Sequence, residues 1–468
     1  MSTENTHFGF ERIGNMLKNC KSIFFIGIGG INMSSLAHIS HLRSYRTGGS
    51  DRVKTDLTEK LEKCGIEIFY SHDAKNIDEY DAVVYTVAIS PDNPEYQRAL
   101  ERGIPCISRA DYLGYIMTGY KNRIGISGMH GKSTCTSMCA SVFIQGNADP
   151  TVLSGAELEA MGGAYRIGKS ENFIFEACEY MDSFLDFNPT TAIILNIEMD
   201  HVDYFHSMEQ ICNSYSAYAK ITGRNGNLII NADNEYSSVI TDTYEGNVIT
   251  FGVINKHADF TAINIIYNEG FPEFDIMKND EFFCHVKLSV TGEHNIYNSL
   301  AACAAAYLSG ISAEAVSEGL GKFTGAKRRM EYKGKVNGAL IFDDYGHHPT
   351  EVRATLEGVS KLNPERLFCV FQPHTYSRTA ALMDQFVGAF EKADRVYVSD
   401  IYAARETDTL GVSGKSLAIR IGEKAEYISG FENIAAEINN TVYPGDIVVV
   451  MGAGDVYNVF DYLNFDKE

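Results

Sequence analysis

The sequence predicts an α/β protein of three domains, and three observations support that prediction. The chain has 468 residues, enough for about three domains of ordinary size. Apolar runs of strand length alternate with runs that suit helices, which is typical of mainly parallel sheets covered by helices. Glycine-rich turns follow two of the strands, as in nucleotide-binding folds. We expect a Rossmann-like N-terminal domain, a central P-loop-type ATPase domain with a mainly parallel sheet, and a Rossmann-like C-terminal domain, at 1–119, 120–325 and 326–468.

The first domain opens with a strand at 22–26 that runs into the turn Gly27-Ile28-Gly29-Gly30. Asp51 follows the next strand, where a ribose-binding acid is expected. This layout resembles a dinucleotide-binding fingerprint, except that Asn32 takes the place of the third glycine. A nucleoside diphosphate fits the turn as well as a dinucleotide does, and a tight turn without a ligand stays an alternative. The other elements predicted here are a helix at 33–42 and strands ending near 50 and at 67–69 and 82–85.

A second glycine loop lies between a predicted strand at 123–126 and a helix-compatible run at 133–143. Glycines let backbone N–H groups turn toward an anion, the helix N-terminus adds positive potential, and Lys132 adds a point charge. The strict P-loop pattern needs a glycine where Ile126 stands, so a glycine turn with a surface lysine is the alternative. We interpret the segment as a phosphate-binding loop whose ATP-contacting residues are Gly128, Met129, His130, Gly131, Lys132, Ser133 and Thr134.

Polar side chains follow two predicted strands of the second domain. Glu176 ends a strand at 172–176, and His201 follows a strand at 191–196. Ligands bind at the carboxyl ends of strands in open parallel sheets, which is also where the glycine loop lies. Ser133 and Glu176 offer the oxygen donors that magnesium prefers, and His201 would act through water. Taken singly, Glu176 could be a solvated acid and His201 a structural histidine.

His294 and Asn295 precede an alanine-rich helix predicted at 299–308. An aromatic face and an amide at this point suit a purine. The alternative is a turn in which Asn298 caps the helix.

The third domain begins with a basic cluster at 327–329 in an otherwise acidic chain. Four of its predicted strands end in polar residues, and four such ends on one sheet would form a face that needs a partner. Pro349 or Thr350 is suited to open the helix after the first of them. The four polar ends lie at 343–349, 372–378, 400–402 and 452–455.

Composition excludes several classes of protein. A net charge of −21 argues against a nucleic-acid or anionic-membrane partner. Ten cysteines without a C-x-x-C pair suggest neither a zinc site nor a disulfide framework. The polar N-terminus and the lack of a long apolar run favour a cytoplasmic enzyme without membrane insertion.

Taken together, these segments resemble the Mur ligase family, the ATP-dependent amide-forming enzymes of peptidoglycan synthesis. The resemblance covers nearly the whole chain and is specific, because the segments are long and occur in a distinctive order. It implies domains for a UDP-sugar, for ATP and for an amino acid. The segments that carry it lie at 27–34, 128–134, 176–179, 196–201, 292–295, 328–329, 343–349 and 372–378.

The resemblance further implies a reaction and its reactants. The lactyl carboxylate of UDP-N-acetylmuramate would attack the γ-phosphate of ATP, and L-alanine would attack the resulting acylphosphate. ATP and Mg²⁺ would be required, with Mn²⁺ as a substitute. The protein would be a cytoplasmic monomer or weak dimer that takes part in peptidoglycan synthesis and cell division.

Site residues are carried over from the resemblance in four groups. The catalytic group is Lys132, Glu176, His201, His347, His374 and Arg378, of which Glu176 and His201 join Ser133 as metal ligands. The ATP site adds His294, Asn295, Arg328, Arg329 and Asp344 to the glycine loop. The UDP-sugar site is Gly29, Gly30, Ser34, Asp51, His72, Ser90 and Asn196. The amino-acid site is Tyr345, His374 and Arg378.

The sequence departs from the family pattern at two positions. Met129 replaces a usual threonine of the loop, and Arg405 replaces a glycine. Some members carry a carbamylated lysine for a second magnesium ion; Tyr215 occupies that spacing here and Lys220 lies too far along, as in the alanine-adding branch.

Three other functions compete with alanine addition as interpretations of the sequence. A recycling ligase that attaches a tripeptide to the same UDP-sugar would carry a longer insertion after Glu176. An NAD-dependent oxidoreductase would use the first glycine turn but leave Lys132 unexplained. A non-catalytic nucleotide-binding switch would not need the four polar strand ends of the third domain.

Overall fold

The computed structural model describes residues 3–158, 161–201, 204–268, 270–325, 328, 330–404, 406–408 and 410–466. Contacts divide the chain into two units. The first consists of residues 1–198, 208–250 and 304–311, and the second of residues 199–207, 251–303 and 312–468. Within the described ranges, no helix combines the length and apolar character needed to span a bilayer.

The first sheet has the Rossmann-like order that the sequence predicts. Its five strands are parallel and lie in the order Glu67–Phe69, Arg46–Ser50, Ser22–Ile26, Ala82–Tyr85, Cys106–Ser108. The central strand, Ser-Ile-Phe-Phe-Ile, is buried along its whole length, as expected of a parallel strand covered on both faces. The elements are α1 (Phe10–Leu17), β1 (Ser22–Ile26), α2 (Ile31–Leu42), β2 (Arg46–Ser50), α3 (Asp56–Lys63), β3 (Glu67–Phe69), β4 (Ala82–Tyr85), α4 (Pro94–Glu101), β5 (Cys106–Ser108) and α5 (Arg109–Met117).

The central sheet places the phosphate loop at the end of an inner strand. The elements that follow α5 are β6 (Asn122–Ser127), α6 (Lys132–Gln145), β7 (Thr151–Leu158), β8 (Gly163–Arg166), β9 (Asn172–Glu176), β10 (Thr191–Ile194), α7 (Met208–Ile221), β11 (Asn227–Asn231), α8 (Ser237–Thr241) and β12 (Asn247–Gly252). In the first unit the strand order is β11-β10-β6-β9-β7-β8. The strand β6 pairs in parallel with β9 and β10, so the polar ends of all three strands lie at one edge.

The second unit continues with an antiparallel meander, β13 (Phe260–Asn268), β14 (Phe271–Lys278) and β15 (Glu281–Lys287). Two helices follow, α9 (His294–Leu308) and α10 (Ala313–Gly321). Because α9 begins at His294, Asn298 lies inside the helix and donates its amide to Asn295 Oδ1 at 3.1 Å. The alternative in which Asn298 caps the helix is therefore wrong.

The third sheet has six strands, in the order β16 (Glu331–Val336), β17 (Ala339–Asp344), β21 (Ile447–Met451), β18 (Leu367–Phe371), β19 (Arg395–Val398) and β20 (Ala425–Tyr427). Only the pair formed by β16 is antiparallel. The last strand of the chain is central, and its five residues, Ile-Val-Val-Val-Met, alternate between two buried apolar clusters. Proline opens α11 as predicted. The elements are β16 (Glu331–Val336), β17 (Ala339–Asp344), α11 (Pro349–Ser360), β18 (Leu367–Phe371), α12 (Tyr376–Ala381), α13 (Met383–Ala389), β19 (Arg395–Val398), α14 (Gly414–Ile421), β20 (Ala425–Tyr427), α15 (Phe431–Thr441) and β21 (Ile447–Met451).

Candidate active site

The predicted phosphate loop joins β6, which ends at Ser127, to α6, which begins at Lys132. Gly128 and Gly131 have φ angles of 140° and 83°, a backbone region that favours glycine. A Cβ atom on Gly128 would also lie 3.0 Å from the Cβ of Leu195. The first turn of α6 carries no acidic side chain of its own, so the positive end of the helix dipole faces the loop.

Asn196 holds the loop in place. Its side-chain oxygen accepts the N–H of His130 at 2.8 Å, and its amide donates to the carbonyl of His130 at 2.9 Å. The N–H of Met129 donates to the carbonyl of Asn196 at 3.4 Å, and the Met129 side chain is buried. The structure thus places Asn196, predicted for the UDP-sugar site, against the phosphate loop.

The ammonium group of Lys132 is held inside the loop. It donates to the carbonyls of Gly128 and Met129 at 2.6 and 3.1 Å and lies 3.0 Å from each carboxylate oxygen of Glu179. The Glu179 side chain is 0% exposed, that of Lys132 16%. Burial alone would lower the pKa of Lys132, but the Glu179 carboxylate raises it above its ordinary value. The lysine is therefore charged and paired.

Glu179 has no predicted role, although it lies in the segment 176–179 that carries the resemblance. The signal in the sequence was a second acid, three residues beyond Glu176, the residue at which the strand ends. Its burial depends on how the chain turns after β9, which the spacing of charges does not indicate.

Ser133 and Glu176 form a pair of oxygen donors at the start of α6. The Ser133 hydroxyl donates to Glu176 Oε2 at 3.1 Å, and Glu176 Oε1 accepts the hydroxyl of Ser154 at 3.2 Å and the N–H of Gly155. Hard oxygen donors beside a phosphate loop fit a magnesium ion. Among the residues that the structure describes, no three His, Cys, Asp or Glu side chains form a metal site by themselves. Thr134 lies half-buried in the same helical turn.

His201 belongs to the second unit, whereas the other two predicted metal ligands belong to the first. It has a φ of 48°, and its N–H donates to Asp200 Oδ1 at 2.6 Å. That carboxylate lies 3.8 Å from Nε2 of His348 and 4.0 Å from the guanidinium of Arg378. Burial alone would raise the pKa of Asp200, but His201, His348 and Arg378 together hold it below its ordinary value. Asp200 was not predicted as a site residue.

A cavity of about 580 Å³ lies at the first glycine turn, and four predicted UDP-sugar residues line it: Gly30, Asp51, His72 and Ser90. The N–H of Gly29 donates to Asp51 Oδ2 at 2.9 Å, so this acid closes the turn. Ser34 is buried in α2 and donates its hydroxyl to the carbonyl of Ile31 at 2.9 Å. The structure brings these residues to one end of the first sheet, with Ser34 turned into its own helix.

A buried acid fixes the cavity histidine. Nδ1 of His72 lies 2.7 Å from Glu95 Oε2 and 3.1 Å from the hydroxyl of Ser50, which itself donates to Glu95 at 2.7 Å. The Glu95 side chain is fully buried. A carboxylate accepts only, so Nδ1 carries the proton. Glu95 was missed from the sequence because it lies 23 residues after His72.

The polar strand ends of the third sheet meet as predicted, because the register aligns Asp344 and Phe371 with Met451. The guanidinium of Arg378 donates to Nδ1 of His374 at 3.3 Å. The ring of His374 lies 5.4 Å from the ring of His347 and 5.6 Å from that of Tyr402, and the ring of Tyr345 lies 5.7 Å from that of His347. The predicted amino-acid residues are therefore neighbours.

The two histidines of this face are uncharged near neutral pH. Burial, opposed by Glu351 and reinforced by Arg378, lowers the pKa of His347 to about 4. Burial and then Arg378 lower the pKa of His374 to about 4, against the opposing effect of Glu406. Among His347, His374 and Arg378, the positive charge is therefore that of Arg378.

Arg328 closes the other side of the face. Its guanidinium donates to the carbonyls of Gly452 and Gly454 at 2.5 and 3.2 Å and lies 5.1 Å from the ring centre of Tyr345. Burial raises the pKa of Asp343 to about 6, although Arg328 opposes that change. Arg329 and Arg405 lie outside the described residues.

Two further predicted ATP residues are held by local hydrogen bonds. Asp344 accepts the N–H groups of Gly346 and Met330 at 2.8 and 3.0 Å, which shapes the turn after β17. Asn295 donates its amide to the carbonyl of Thr291 at 2.7 Å and lies beside His294 in the first turn of α9.

The position of the family's carbamylated lysine is apolar in this chain. Tyr215 is fully buried in α7, with its ring 5.5 Å from that of Phe184 in a T-shaped arrangement. Lys220 is exposed in the last turn of the same helix.

Comparison with known proteins identifies relatives along the whole chain. Residues 22–121 match the Mur ligase family, catalytic domain; residues 126–306 match the Mur ligase middle domain; and residues 328–454 match the Mur ligase, glutamate ligase domain. The chain is 44% identical over 449 residues to UDP-N-acetylmuramate–L-alanine ligase of Clostridium novyi, covering 95% of this chain and 98% of that one. The corresponding ligase of Acetivibrio thermocellus is 44% identical over 452 residues, with 96% of each chain covered.

Solved structures give the same result for the fold. UDP-N-acetylmuramate-alanine ligase of Thermotoga maritima superposes with a TM-score of 0.79 at 27% identity, covering 94% of this chain and 98% of that one. A murein peptide ligase of Psychrobacter arcticus, 24% identical, has a TM-score of 0.70 over 95% of this chain and 98% of its own. The three-domain α/β prediction is confirmed, and the chain belongs to the Mur ligase family.

Proposed function

We propose that this protein is the ATP-dependent, ADP-forming ligase that joins L-alanine to the lactyl carboxylate of UDP-N-acetylmuramate in peptidoglycan precursor synthesis. The observation that carries the proposal is the 44% identity to ligases of that name over 98% of the relative's length. The phosphate loop supplies the chemistry that such a ligase needs, a fixed cation and a helix N-terminus aimed at phosphate.

The three domains divide the reactants, at 1–119 for the UDP-sugar, 120–325 for ATP and 326–468 for the amino acid. In the first, the cavity at Asp51, His72 and Ser90 takes the UDP portion. In the second, Lys132 offsets the charge that develops on the phosphoryl oxygens as the lactyl carboxylate attacks. Ser133 and Glu176 would hold a magnesium ion; when bound, the ion would neutralise phosphate charge.

In the third domain, Arg378 binds the carboxylate of L-alanine. A guanidinium matches both oxygens of a carboxylate, and the neighbouring neutral rings of His374 and Tyr345 complete the pocket by hydrogen bonding. Since the pKa of His374 and that of His347 are both about 4, both imidazoles are neutral at neutral pH but too weakly basic to take a proton from an ammonium group. The amine therefore loses its proton to another acceptor before it attacks the acylphosphate.

ADP release measured with UDP-N-acetylmuramate and single amino acids tests this function. We expect release that depends on L-alanine, and none from the tripeptide or from NAD-linked substrates. Release with the tripeptide but not with alanine would assign the protein to recycling. We further propose a cytoplasmic monomer or weak dimer, which cell fractionation and sedimentation measure directly.

A further inference from the structure

Two adjacent residues at the start of α6 each face their own glutamate. Ser133 donates to Glu176 at 3.1 Å, and Lys132 lies 3.0 Å from both carboxylate oxygens of Glu179. Both glutamates come from the strand β9 and the turn that follows it. The first pair suits a metal ion, but nothing in the proposed reaction explains the second.

The three protons of the Lys132 ammonium are all directed at protein oxygens. The carbonyls of Gly128 and Met129 accept two, and the Glu179 carboxylate accepts the third. A phosphate can reach the ammonium only by replacing one of these acceptors. Moving the lysine away from Glu179 would take the cation from a carboxylate that is 0% exposed, which costs more than releasing a neutral carbonyl.

We propose that Glu179 is a positioning residue that fixes the ammonium group of Lys132 at the loop. The nucleotide phosphate then replaces one of the carbonyl groups of Gly128 and Met129, and the carboxylate of Glu179 stays in contact with the lysine. Glu179 acts on the reaction only through Lys132. The kinetic part of this inference rests on the proposed ATP-dependent ligation; the ion pair itself does not.

A thermal double-mutant cycle tests the pair without any assay of activity. We expect Lys132→Ala to lower the Tm, because it removes the cation that lies against a buried carboxylate. Adding Glu179→Gln should raise the Tm again by about 2 °C or more, since the stranded charge is then removed. Asp111→Asn is the matched control, since Asp111 is another buried carboxylate of the first unit and caps the N–H groups of Phe8 and Gly9. The Tm changes caused by Asp111→Asn and by Lys132→Ala should add in the double variant. If the Tm changes caused by Glu179→Gln and by Lys132→Ala also added, the proposal would be overturned.

Kinetic measurements distinguish a positioning role of Glu179 from a purely structural role. At saturating substrates, Glu179→Gln should lower kcat about tenfold or more, with unchanged KM values for L-alanine and the UDP-sugar. In the Lys132→Ala background, Glu179→Gln should not lower kcat further. The kcat of Glu179→Asp should lie between those of wild type and Glu179→Gln. A wild-type kcat for Glu179→Gln would overturn the proposal. If the wild-type protein had no ligase activity, the proposed function would be wrong. The thermal cycle would then still test the ion pair between Lys132 and Glu179.

Discussion

The phosphate loop and the strand-end face of the third sheet each present a cation, but they surround it differently. Lys132 contacts both oxygens of a buried carboxylate at 3.0 Å. Arg378 contacts an uncharged imidazole at 3.3 Å, and its ion pair with Asp200 is longer, at 4.0 Å. The lysine charge is therefore neutralised before a ligand arrives, whereas the arginine keeps more of its potential for one.

This difference suits the two ligands proposed for these sites. ATP brings several negative charges and, with a helix N-terminus and the proposed magnesium ion beside it, would not need an unpaired lysine to bind. L-Alanine offers only two charged ends and one methyl group, and a methyl contributes about 1–3 kcal/mol of discrimination. Its carboxylate must supply most of the recognition, so a cation with neutral neighbours is the more useful arrangement.

The largest effect expected at the loop is that of Glu176→Ala. Removing the carboxylate leaves the Ser133 hydroxyl as the remaining oxygen donor of the pair, so we expect a rate about 10²-fold lower and a higher magnesium requirement. A magnesium titration of ADP release measures both. Glu171→Ala, at an exposed acid of the same unit, is the control. A titration that superimposes on wild type would show that Glu176 does not hold the metal ion.

A smaller effect is expected at the face from Arg378→Lys. An ammonium keeps the charge but loses the two-pronged contact, so the KM for L-alanine should rise about tenfold. The KM values for ATP and the UDP-sugar should stay within about twofold, because Arg378 is assigned to neither. Arg395→Lys, at an exposed arginine of the same sheet, should change none of them. A defect confined to ATP would move the amino-acid site elsewhere.

The sequence predicts the strands better than it predicts the site. The strands at 22–26, 67–69, 82–85 and 172–176 are confirmed to the residue, because each is a short apolar run between clear breaks. The start of α9 is missed by five residues, since its first turn is polar and depends on contacts such as that of Asn295 with Thr291. Glu179 and Glu95 are missed because their roles depend on being buried next to Lys132 and His72. Burial is set by the fold and cannot be read from the spacing of charges in the sequence.

The smallest predicted effect concerns the neutral histidines beside Arg378. The pKa of His347 and that of His374 fall from an ordinary 6.5 to about 4, so between these values the unfolded chain binds more protons than the native one. Stability from these groups is complete above about pH 6.5 and is lost as the pH falls toward 4. Asp343 acts in the opposite sense, because its pKa rises from 3.8 to about 6 and the native state binds the extra proton.

Two substitutions should therefore change the pH dependence in opposite directions. Between pH 7 and pH 5 we expect His347→Gln to lose fewer degrees of Tm than wild type, because a destabilising protonation is removed. Asp343→Asn should lose more, because a compensating protonation is removed. Comparing each variant with itself at the two pH values cancels its overall change in stability. Comparing that difference with the one for wild type then cancels the titration of groups elsewhere in the chain. If His347→Gln lost as many degrees as wild type, the pKa of His347 would be the same in the native and the unfolded chain. Burial would then not hold this histidine neutral, and the contrast between a paired lysine and an arginine with neutral neighbours would fail.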